Sequence, residues 1–271
     1  VLVVARRRVR HALLQLARYG EQVGHLFCGA MESFAWTEAR LSSATAPAAA
    51  ASAYLLVVAI LDRAKPHLDT RPVQAAHNLF LAAASAAMAV GTALEVARRV
   101  ADEASPRWLF CESPTTTPTG ALWFFSYVYY LSKYYELVDT VLQLLKGRPP
   151  PHFFLHVYHH VVVLFMAWGW LEYVQSLQFI GMFFNTSVHV VMYYYYFLRA
   201  RGRDVWWKRY VTTFQIVQFM CSFGCLGVTL VLVATGSECA GVRSLALNSL
   251  FNLSLLYGFV GVLIKGRKRH E

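Results

Sequence analysis

Seven stretches of this chain are almost unbroken runs of apolar residues: about 46–62, 73–97, 120–145, 153–171, 174–198, 211–235 and 243–264. Each has about the length an α-helix needs to cross a bilayer, roughly 17–25 residues. The runs are continuous and do not alternate, so membrane strands do not fit them. Apolar residues make up 57% of the 271, whereas a soluble domain sits near one half. The expected fold is all-α: a polytopic membrane protein of seven transmembrane helices. The first run is short and Ala-rich and gives the weakest signal. No room is left for a separate soluble domain. The expected division is a leader or lumenal segment 1–45, a seven-helix domain 46–265 and a basic cytosolic tail 266–271.

The formal net charge is +10, and its placement orients the chain. With the end KGRKRHE in the cytosol, the cytosolic connections hold Arg63, Lys65, Arg71, Lys146 and Arg148, then five basic residues from Arg199 to Arg209. Lys265, Arg267, Lys268 and Arg269 follow at the end. The opposite connections hold only Arg98, Arg99, Arg107 and Arg243. This is the positive-inside bias, so the basic balance reads as topology and no nucleic-acid partner is expected. The N-terminus is then lumenal. Arg6, Arg7, Arg8, Arg10, Arg18 and Arg40 run against that bias, and the chain begins at Val1. One expectation is that residues 1–30 are a translated leader before a start at Met31. Of the five cysteines, Cys111 and Cys239 both fall in lumenal connections, where an oxidising compartment favours pairing. A disulfide between them is expected, with two separate thiols the plain alternative on spacing alone.

Ionisable and polar groups inside the runs form four clusters, each at helical spacing. "KYYELVDT" carries Lys133, Glu136, Asp139 and Thr140. A structural ion pair is the plain alternative for the first two, while Asp139 is placed to orient a histidine. "LHVYHH" carries His156, His159 and His160. "NTSVHVVMYYYY" carries Asn185, His189, Tyr193 and Tyr196. An aromatic interfacial belt accounts for its neighbouring tyrosines but not for the deeper Asn185 and His189. "TTFQIVQF" carries Gln215 and Gln218, for which interhelical hydrogen bonding is the plain alternative. By helical rise, His159 and Asp139 lie about 10 Å from the cytosolic face, Gln215 a little less and His189 about 14 Å. Four clusters converge on one depth, which points to a single site entered from the cytosol.

Histidines suggest a metal first. A di-iron cage of the membrane desaturase type needs about eight histidines. Setting aside His11, His25, His67, His77 and His270 leaves too few. One zinc shared with Asp139 remains an alternative. Without a metal, a buried neutral imidazole can attack an acyl thioester and carry the acyl group. Nearby amides and hydroxyls could serve the oxyanion. Basic residues such as Arg203 and Lys208 would attract the polyphosphate of coenzyme A.

The four motifs, in this order and spacing across residues 133–219, resemble those of the ELO family of very-long-chain fatty acid elongases. With the surrounding runs, the likeness extends over about 46–265. The resemblance implies a seven-helix fold with six helices ringed around a tunnel for the acyl chain. It implies an endoplasmic-reticulum enzyme that condenses an acyl-CoA with malonyl-CoA to a 3-oxoacyl-CoA, CO2 and CoA. The route implied is ping-pong through an acyl-imidazole, with no cofactor and no metal. By motif position His159 is the nucleophile, His160 and His156 orient it or relay protons, and His189 serves the malonyl half-reaction. Lys133, Glu136, Asp139, Asn185, Tyr193, Gln215 and Gln218 would line or brace the site, with Tyr196 beside them.

Expected partners are membrane lipid, the ketoacyl reductase, dehydratase and enoyl reductase of the elongation cycle, and a second copy of the chain. Pro151 stands where polyunsaturate-specific relatives carry Gln, which resembles the saturated or monounsaturated group. Phe183, Leu226 and Phe251 are candidates for the side chain that ends the tunnel. The rival readings are a metal-dependent lipid desaturase or hydroxylase, a non-catalytic seven-helix lipid-binding protein, and a nucleophile at Cys221 or Cys225.

Overall fold

A computed structural model of the protein describes residues 28–267. Most of the expected leader, with His11 and His25, and the tail from Lys268 onward lie outside the described residues. The fold is built from α1 (Thr45–Ala64), α2 (Arg71–Asp102), α3 (Ala121–Glu136), α4 (Val138–Leu145), α5 (Phe153–Glu172), α6 (Gln178–Ala200), α7 (Lys208–Ala234) and α8 (Val242–Arg267). Among the described residues the only extended pairing is a single bridge between Ala35 and Thr119. The protein is an all-α polytopic membrane protein.

Five helices are long and apolar enough to cross a membrane: α1, α2, α5, α7 and the Val242–Ile264 part of α8. Seven were expected, and the two other runs fall short for different reasons. The run 120–145 is split, because the Leu137 N–H bonds to the Tyr134 carbonyl at 3.3 Å, a step of three residues that interrupts the α-helical ladder. Neither α3, of 16 residues, nor α4, of eight, is long enough alone. Helix α6 has 23 residues but carries Asn185, Thr186, Ser187, His189 and four consecutive tyrosines. Both runs carry polar groups of the site, as α5 and α7 also do.

Helix starts follow local chemistry. Pro72 sits in the first turn of α2, where its missing N–H has no intrahelical partner to lose. Asp69 Oδ1 accepts the Arg71 N–H at 3.2 Å. Before α5, Pro149, Pro150 and Pro151 cannot donate to a helical ladder, so the chain stays non-helical until His152. Gly147 (φ 76°) turns the chain out of α4, and its backbone lies so close to the His67 ring that a Cβ would not fit.

Packing closes a ring. Helix α2 packs on α6, α6 on α7, α7 on α8, α8 on α5, α5 on α3, and α3 back on α2. Helix α1 stands outside, against α4 and α5. One end of the ring is sealed by an aromatic core of Trp36, Trp108, Trp123, Tyr129, Trp170 and Phe179. Tyr129 stacks on Trp170 at 5.2 Å. Burying each such ring is worth about 1.5–3 kcal/mol.

Residues 34–42 dock on this core. Trp36 Nε1 donates to Glu172 (2.9 Å), Tyr130 Oη to the Leu41 carbonyl (3.0 Å) and Trp168 Nε1 to the Ser42 carbonyl (2.7 Å). Cys111 and Cys239 form the expected disulfide, tying the α2–α3 connection to the α7–α8 connection. Beside it Arg99 grips the buried Glu112 with two hydrogen bonds of 2.6 and 2.8 Å. We call this the disulfide end, and the opposite one the histidine end.

Candidate active site

The histidine end opens into a chamber of about 720 Å³. Helix α5 sends His156, His159 and His160 into it, because steps of three and four residues place them on one helix face. Helix α4 adds Asp139, and α6 adds Asn185, His189, Tyr193 and Tyr196. Helix α7 supplies Lys208, Gln215 and Gln218, and Glu136 comes from the last turn of α3. Twelve of the fourteen expected catalytic or substrate-binding residues therefore share one cavity, as their common depth implied.

The other two are elsewhere. Lys133 lies behind the wall, its side chain 1% exposed, and holds Glu136 Oε1 at 2.8 Å while its ammonium covers the Tyr129 ring. It braces the site and does not line it. Arg203 is exposed in the α6–α7 connection, with its carbonyl facing Arg199, and does not reach the chamber. Lys146, Arg148 and Arg199 line the mouth beside Lys208, so a basic mouth exists with a different membership. Arg199 also holds Asp204, at 2.6 Å.

The histidines have distinct surroundings. His156 Nε2 is 3.0 Å from Thr140 Oγ1, which in turn is 2.8 Å from the Tyr54 hydroxyl of α1. The His156 and His160 rings lie 4.5 Å apart, and those of His159 and His160 5.4 Å. Nδ1 of His159 and of His160 are both buried without a hydrogen-bond partner. Nε2 of His159 is neither buried nor bonded, and is the ring nitrogen open to a reagent. His189 Nδ1 lies 3.6 Å from Glu136 Oε1.

Asp139 does orient a histidine, but not one in the box. It takes a 2.6 Å hydrogen bond from His77 Nε2, a residue set aside in the sequence reading, and a 2.7 Å bond from the Tyr193 hydroxyl. His77 is 5% exposed and lines the chamber with Gln74 and Asn78. The signal for it was present: Gln74, His77 and Asn78 are spaced to share one face at the start of α2. Among the described residues, no group of three His, Cys, Asp or Glu side chains is set to hold a metal ion.

A second, narrow cavity of about 60 Å³ continues toward the disulfide end. Its wall mixes apolar side chains, among them Val163, Met166, Trp170, Leu226 and Phe251, with Ser222, Asn248, Ser249 and Asn252, and includes Cys225. Of the three candidate tunnel-ending residues, Leu226 and Phe251 line it, while Phe183 is 40% exposed on the outside of α6. Cys221 lines neither cavity. His159, Asn185, Gln218 and Phe219 belong to both cavities. The His159 imidazole thus stands at the junction of a wide chamber, which holds the histidines and has a basic mouth, and a much smaller cavity of mixed lining. Such a junction suits a reagent with a charged head and a greasy tail, whose reactive carbon lies between them.

Among known proteins, fatty acid elongase A of Dictyostelium discoideum is 38% identical over 144 residues, covering 53% of this chain and 51% of that protein. Fatty acid elongase sre1 of the same organism is 34% identical over 187 residues, covering 66% and 68%. Very long chain fatty acid elongase 4 of Mus musculus is 41% identical over 110 residues, covering 39% and 34%. The chain thus spans from a third to two thirds of the length of these curated relatives. The family described as ELO: GNS1/SUR4 matches residues 40–270, and the chain belongs to that family.

Proposed function

We propose that this protein catalyses the condensing step of fatty acid elongation, joining a long-chain acyl-CoA to malonyl-CoA. The observation that carries this reading is the place of His159, whose open Nε2 sits where the basic-mouthed chamber meets the smaller cavity. The acyl tail would occupy the smaller cavity, and the coenzyme would leave through the mouth lined by Lys146, Arg148 and Lys208. Family membership and relatives named fatty acid elongases support it.

The route runs in two halves. The His159 Nε2 lone pair attacks the thioester carbon. The C–S bond breaks, and CoA leaves as a thiol carrying the proton that the ring gives up. The chain is then held as an acyl-imidazole. In the second half, the bond between the malonyl carboxylate and its methylene breaks, CO2 departs, and the freed electron pair forms the new carbon–carbon bond to the acyl carbon. The acyl–nitrogen bond breaks, and the ring regains a proton from water. His189, held against Glu136, is placed to steady the enolate of this second half.

The product is a 3-oxoacyl-CoA two carbons longer. Its 3-oxo group needs reduction, dehydration and a second reduction, which makes the ketoacyl reductase, dehydratase and enoyl reductase the natural neighbours. The endoplasmic-reticulum membrane, with a cytosolic C-terminus and lumenal N-terminus, is the location we assign. The test is incubation of the purified protein with malonyl-CoA and saturated acyl-CoAs of graded length, followed by product analysis. We expect 3-oxoacyl-CoA products two carbons longer. Absence of chain growth at every length contradicts the proposal.

A further inference from the structure

Two hydrogen-bond chains reach the chamber from different walls. One runs from Tyr54 through Thr140 to His156. The other runs from His77 through Asp139 to Tyr193 and touches no residue of the LHVYHH box. An ionised carboxylate only accepts, so Nε2 donates the His77–Asp139 bond and Nδ1 is the ring nitrogen left over. That Nδ1 is buried and unpartnered, so the ring is fixed through Asp139 and through its contact with Tyr135, at 4.8 Å between centroids. Asp139 in turn fixes the Tyr193 hydroxyl. Tyr193 is one helical turn past His189, and the two rings meet edge to face at 5.4 Å. His189 is therefore held on two sides: by Glu136, itself gripped by buried Lys133, and by Tyr193, gripped through Asp139 by His77.

We propose that His77 is a positioning residue for the malonyl half-reaction. It acts through Asp139 and Tyr193 to hold His189, and leaves acyl transfer to His159 undisturbed. This rests on the two-half reading above, with His189 serving the second half. Outer partners that orient a functional group commonly change activity by about tenfold to a hundredfold, and His77 stands two intermediaries from His189.

In a ping-pong enzyme the two half-reactions report separately, as kcat/KM for acyl-CoA and kcat/KM for malonyl-CoA. The test uses the full chain in detergent or membranes, comparing wild type with His77→Leu, His77→Gln and Tyr193→Phe. His77→Leu keeps the volume and removes the donor. It should lower kcat/KM for malonyl-CoA at least about tenfold while kcat/KM for acyl-CoA stays within about twofold. His77→Gln, which can still donate to Asp139, should recover most of the loss. Tyr193→Phe cuts the other end of the chain without a void and should reproduce the same split. Equal losses in both ratios would mean that His77 merely ties α2 to α4. No loss in either would mean the chain does not reach the chemistry. Either result overturns the proposal. Failure of the elongase reading itself shows differently, as absence of lengthened product from the wild type.

Discussion

At the disulfide end, Cys111–Cys239, the Arg99–Glu112 pair and the docked segment 34–42 bind the connections of the bundle to one another. At the histidine end, Pro149–Pro151, Arg148 and Lys208 stand around an open chamber. The sealed end uses aromatic burial and a covalent tie. The open end uses buried polar groups, some bonded in short chains and some, such as Nδ1 of His77, His159 and His160, left without a partner. The contrast suggests a division of labour: the sealed end fixes where the helices stand, and this lets the open end carry reactive groups on helices instead of loops.

The comparison breaks most sharply at His159. His159→Ala is expected to lower turnover by on the order of a thousandfold or more, because on the proposed route it removes the atom that bonds the acyl group. Cys225→Ser, in the narrow cavity, should change turnover by less than about tenfold. The reverse pattern in a kinetic assay would move the nucleophile to the thiol.

Next comes the ion pair behind the wall. Lys133→Met leaves Glu136 charged and buried without its partner, which costs about 3–5 kcal/mol. Thermal unfolding in detergent checks this, and a loss under about 1 kcal/mol would show the pair is not needed to brace the site. Cys111→Ser should cost about 2–5 kcal/mol by freeing a long loop in the unfolded chain. Its turnover below the melting temperature should stay close to wild type. A catalytic defect without a stability defect would refute the division between the two ends.

The smallest expected effect lies at the mouth. Lys208→Ala should raise KM for both CoA substrates severalfold, and less at high salt, because the attraction is screened. Arg203→Ala should leave KM unchanged. A larger effect from Arg203 than from Lys208 would show that the mouth closes differently when loaded.

Much of this was legible in the sequence, because hydrophobic runs report helices directly and steps of three and four residues report which side chains share a face. The common depth of His159, Asp139, His189 and Gln215 located the chamber before any packing was known. What was missed depends on contacts between distant parts of the chain. Asp139 was read as a carboxylate that orients a histidine, without saying which; its partner His77, set aside in that reading, is 62 residues away. Arg203 looked like Lys208 by charge alone, and only the turn after α6 carries it away from the opening. The split at Leu137 has no Pro or Gly to announce it. Segment 34–42 lacks helical periodicity, so the pairing of Trp36 with Glu172 could not be read from it.

The central claim is that His159 carries the acyl chain between the two halves. Purified protein incubated with an acyl-CoA, in the absence of malonyl-CoA, should release CoA and gain the mass of one acyl group. Peptide mapping should place that mass on His159, and malonyl-CoA should then discharge it as the lengthened product. An unmodified His159 in a preparation that still elongates, or the acyl group mapped to another side chain, would contradict the account.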